Sequence, residues 1–87
     1  MALVNVMESF VDEKLKDMLE AEGGCRCERC FEDMKAIALN RLPAKYVSTH
    51  NGELFSKLDS TIRQNHVDIN IAVAYAIECV SKYPSHN

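Results

Sequence analysis

The strongest constraint on this chain is a cysteine cluster at a helix break. The stretch GGCRCERC, residues 23–30, places Cys25, Cys27 and Cys30 within six positions, and the other cysteine is Cys79. The two residues between Cys27 and Cys30 let both sulfurs face one point, with Cys30 at a helix start. Gly23 and Gly24 free the entry so that Cys25 can fold back as a third ligand. Zinc prefers four tetrahedral ligands and binds thiolate well, and Cys79 would complete four. Such an ion would tie the junction of the first two helices to the last one. In zinc-finger peptides it contributes on the order of 10 kcal/mol to folding. A chain of 87 residues is a single domain, residues 1–87, with a modest core that gains much from such a staple.

Other readings of the cysteines stand beside this one. A full zinc signature has two CxxC pairs, and this chain has one. A lone cysteine on an apolar helix, as Cys79 is, is more often a core thiol than a ligand, and His50, His66 or His86 would then be the fourth ligand. Iron–sulfur runs use other spacings. A thioredoxin-like redox pair needs a βαβ context, and no strand is predicted here. Four available cysteines point to a closed, structural zinc site rather than a catalytic one with an open position. Arg26, Arg29 and Lys82 are placed to offset the charge of four thiolates.

The segments around the cluster read as helices. Over residues 3–21, Met7, Phe10, Val11, Leu15, Met18 and Leu19 recur at three- and four-residue steps, and Gly23-Gly24 stop the helix. A second helix is predicted from about Arg29 to Arg41, with Phe31, Met34, Ile37 and Ala38 inward and Pro43 beyond its end. Asn51 can cap a third, with Leu54, Phe55, Leu58 and Ile62 on its inner face. A fourth follows Asp68, its apolar steps running from Ile69 to Tyr83 before Pro84. It is apolar around most of its girth, so it is central or covered by a second subunit. The prediction is all-α, a compact bundle of four to five helices.

The connector LPAKYVSTHN, residues 42–51, is the other segment of unusual content. With Arg41 it groups Lys45, Tyr46, Ser48 and Thr49: cations and hydroxyls suited to phosphates, and a ring suited to a base. The alternative is a packed connection with Tyr46 and Val47 anchoring it. No nucleophile–base pair is legible, so the residues do not predict an enzyme. The net charge of −3 argues against a domain that coats nucleic acid. The N-terminus lacks the basic region of a signal peptide, and no apolar run reaches the ~20 residues of a membrane span. A soluble, cytoplasmic protein is the expectation.

The stretch CRCERCFEDMKAIALNRLPAKYV, residues 25–47, resembles the ComFB family of bacterial late competence development proteins. The matching elements are the CxCxxC cluster, Asp33, Ala36-x-Ala38-Leu39-Asn40-x-Leu42-Pro43 and Lys45-Tyr46-Val47. Gly52-Glu53, the alanine-rich last helix and Pro84-x-His86 extend the likeness over about residues 3–86. Ala44 stands where the family often has a second proline, which predicts a looser connector. The resemblance implies a small helical homodimer that binds zinc through cysteines, one ion per chain. It also implies a regulatory role in competence and a candidate receptor for cyclic dinucleotides, c-di-GMP or c-di-AMP. A protein adaptor without small ligand is the alternative, and a DNA-associated zinc domain, opposed by the net charge of −3, is the third reading.

Overall fold

The computed structural model describes residues 3–48, 52–64 and 66–82. In chain order they form β1 (Leu3–Asn5), α1 (Met7–Glu22), α2 (Glu28–Asn40), β2 (Tyr46–Ser48), α3 (Gly52–Gln64) and α4 (Val67–Lys82). Helices α1, α2 and α4 pack on one another, and α4 lies along α2. The apolar steps read from the sequence are the ones buried. Met7, Val11, Leu15 and Leu19 face inward from α1. Cys30, Met34 and Ala38 do so from α2. Ile69, Ala72, Val73, Ala76 and Val80 do so from α4. Alanines at the facing positions let the helix axes approach closely. Each fully buried leucine, such as Leu15, contributes about 1.5–3 kcal/mol.

The fold corrects the helical prediction at the N-terminus. The first helix starts at Met7, not at residue 3, because Leu3–Asn5 form a strand antiparallel to Tyr46–Ser48. Asn5 explains the switch. Its Oδ1 accepts the backbone N–H of Met7 at 3.2 Å and that of Lys45 at 2.9 Å. Val6 N–H in turn donates to the Lys45 carbonyl at 2.8 Å. An Asn side chain serving donors at a helix start competes with extending the helix backwards. The connector therefore contains a strand, with Val47 buried beneath it.

A second correction concerns α3. Its apolar side was expected inward, yet only Ile62 is buried, while Leu54 and Phe55 are 48% and 43% exposed. The helix rests mainly on β2. At the start of α4, Asp68 lies in the first turn rather than at the cap. Asn51, Tyr83 and Pro84 lie outside the described residues. The radius of gyration is 13.8 Å, against about 12 Å for a compact chain of this length, so the molecule is elongated.

Candidate metal centre

The loop between α1 and α2 gathers three thiols. α1 ends where Gly23 takes a positive φ of 81° and donates its N–H to the Leu19 carbonyl at 2.9 Å. Gly24 follows at φ 129°, and a Cβ there would lie 2.9 Å from Leu19 Cδ2. The chain thus turns tightly against the end of α1, where only glycine is unstrained. Cys27 then caps α2 from an extended conformation, its Sγ accepting the Cys30 N–H at 3.5 Å. The Sγ atoms of Cys25, Cys27 and Cys30 all lie within 4.8 Å of one another. Cys30 is fully buried, Cys25 is half-buried and Cys27 is exposed.

The electrostatics separate the three. The N–H of Cys30, at the positive end of α2, holds the Cys27 thiol below the ordinary cysteine value. Burial, reinforced by the two neighbouring thiols, pushes Cys30 up to about 12. A soft cation relieves this crowding by taking the sulfurs as thiolates. Tetrahedral zinc with ~2.3 Å bonds sets sulfurs ~3.8 Å apart, a short contraction of the present group. The donor set and its spacing fit such an ion.

Cys79 is not in this group. It lies on α4 against the α2 segment Asp33–Asn40, past the first turn that carries Cys30, and interacts with Tyr75. Of the histidines, His66 is also apart, its Nδ1 facing the Asn70 amide at 3.4 Å. His50 and His86 lie outside the described residues. Nor do all the expected cations face the sulfurs. Arg26 donates to the Leu19 carbonyl at 3.1 Å, and Lys82 pairs with Glu78 at 3.3 Å.

The connector residues divide. Tyr46 is 62% exposed on β2, with half-buried Ser48 two positions on and so on the same side. Lys45 lines a cleft of about 420 Å³ with Met7, Pro43, Thr61 and Asp68. Arg41 turns instead to α4, its guanidinium 4.0 Å above the Tyr75 ring. It borders a smaller cleft that shares Leu42, Pro43 and Asp68 with the first. Asp68 lines both clefts. Thr49 lies outside the described residues. The sequence reading missed Tyr75. The available signal was the outer stripe Val67, Ile71, Tyr75 at four-residue steps on α4.

The family model for the late competence development protein ComFB matches residues 4–84. The chain belongs to the ComFB family. The matched segment holds all four cysteines and the whole connector. Competence protein ComFB of Bacillus subtilis (strain 168) is 27% identical over 84 residues, spanning 95% of this chain and 86% of that protein. A solved structure of the late competence protein ComFB from Bacillus subtilis superposes with a TM-score of 0.78 at 26% identity. It covers 97% of this chain and 93% of that one. The helical class expected for a ComFB-family chain holds, with the short β1–β2 ribbon added. No helix of the described residues is long and apolar enough to cross a membrane.

Proposed function

We propose that this ComFB-family chain is a non-enzymatic regulatory module associated with late competence: a zinc-stapled homodimer that responds to a cyclic dinucleotide. The observation that carries the metal part is the trio Cys25, Cys27 and Cys30 with sulfurs within 4.8 Å. Cys79 is the fourth donor proposed. It is the one remaining thiol, on the helix packed along α2, although outside the trio. The ion supplies rigidity and no reaction chemistry.

The homodimer is supported by the uncovered apolar side chains of α3 and by the exposed stripe Val67, Ile71, Tyr75. A two-fold ligand suits a two-fold dimer, each subunit giving one half-site. Arg41, Lys45, Tyr46, Ser48 and Thr49 are the contacts proposed for it. The Lys45 cleft is of the size that small ligands occupy. Calorimetry with c-di-GMP and c-di-AMP tests this, with Lys45→Ala and Tyr46→Ala as controls. Absence of heat with either nucleotide at high protein concentration rejects the sensing role. The same exposed apolar faces would then favour a protein adaptor without a small ligand.

A further inference from the structure

We propose that Arg26 is the positioning residue of the thiol centre, a tether that aims Cys25 and Cys27 by fastening the loop to the end of α1. The inference rests on the metal reading above and assigns the arginine a part in it. Arg26 sits between two of the sulfurs in sequence. On either side of it the Cys25 and Cys27 sulfurs gather with that of Cys30, all three within 4.8 Å of one another. Cys27 is extended, with φ −66° and ψ 155°. The Arg26 side chain leaves the loop toward α1, where Nη2 donates to the Leu19 carbonyl at 3.1 Å. The loop is thus held at Arg26, between two of the sulfurs, by a bond to α1, while those sulfurs meet Cys30.

The anchor point is well chosen. Leu19 is 2% exposed and part of the core, so its carbonyl is fixed by packing. The same carbonyl takes the Gly23 N–H at 2.9 Å, and Gly24 runs against the Leu19 side chain. Three features of the loop, at Gly23, Gly24 and Arg26, thus converge on one residue of α1. The last turn of α1 has no basic residue of its own, and its sequence ends Leu19-Glu20-Ala21-Glu22. A cation from the following loop completes that helix end, where unpaired carbonyls gather. The arginine stem lies in a cleft with Lys16, Glu20 and Phe31, which joins α1 to α2 beside the cluster.

The test is zinc release from full-length, zinc-loaded protein into a chromogenic chelator. It compares wild type, Arg26→Ala and Arg26→Lys at low salt and at 1 M salt. Loss of an outer-shell partner of a metal site typically costs about 10- to 100-fold. Arg26→Ala should hold zinc weaker by that factor and release it faster. Arg26→Lys, whose ammonium can reach the same carbonyl, should recover most of the loss. A tether survives screening, so the ratio persists at 1 M salt, where an effect of charge alone is damped within ~3 Å. Should Arg26→Ala not fold, Arg26→Met keeps the bulk of the stem, removes only the donors and carries the same expectation. A ratio near one, or one that disappears at high salt, overturns the tether while leaving the metal reading intact. Failure of the wild type to take up zinc rejects the metal reading itself.

Discussion

The side-chain oxygen of Asn5 and the backbone N–H of Lys45, forty residues apart, meet at 2.9 Å. Through this bond the start of α1 and the connector share one acceptor, since Asn5 also takes the Met7 N–H. Removing it leaves two part-buried donors without that acceptor. Asn5→Ala should cost about 1–3 kcal/mol, read as a lower denaturation midpoint in urea at unchanged slope. Asn5→Asp, which keeps the acceptor, should cost less. Equal midpoints for Asn5→Ala and wild type would contradict the clasp.

Asn5 also shows where the sequence stopped being legible. The helical interior was readable, because buried residues such as Val11, Leu15, Met34 and Val73 recur at helical steps and bury at those steps. The β1–β2 ribbon was not. It depends on a partner forty residues away and on one side-chain acceptor, and neither leaves a periodic trace. The cysteine trio was legible because its members are close in the chain. Cys79 was assigned by elimination, and elimination carries no geometry. Arg26 was read as a charge; its tethering contact depends on where α1 ends in space.

Asp12 joins two helices. Its carboxylate pairs with Lys16 at 2.9 Å within α1 and with Lys35 of α2 at 3.6 Å. The hydrogen bond from Lys16, with charge from both lysines, holds its pKa below the ordinary value of 3.8. A carboxyl depressed in the folded state stabilises above the unfolded value and loses that contribution as pH falls through the folded one. Asp12→Asn should therefore cost about 0.5–1 kcal/mol at pH 7 and nothing at about pH 2. Thermal melts at both values check this, and a difference that persists at the acid end would contradict it.

Phe55 and Leu54 give the proposed homodimer a direct test. Both are exposed on a helix that buries only Ile62. A carboxylate placed in an apolar contact between subunits is strongly unfavourable. Phe55→Asp should shift the mass measured by light scattering from two chains toward one, with helical content retained. A Phe55→Asp protein that stays dimeric would move the interface away from α3.

The centre itself should couple metal to proton. Cys30, pushed up to about 12, must give up its proton to bind a cation. Zinc affinity should rise from pH 6 to pH 8, followed by competition with a chelator of known affinity. A flat profile would mean that protonated thiols do not compete for the site.

The most direct measurement is the metal content of protein purified without added metal, by elemental analysis, for wild type and for Cys27→Ser, Cys30→Ser and Cys79→Ser. The account predicts about one zinc per wild-type chain, well under one in each variant, and a melting temperature that falls when a chelator is added. A wild-type stoichiometry near zero, with melting unchanged by chelator, would contradict it.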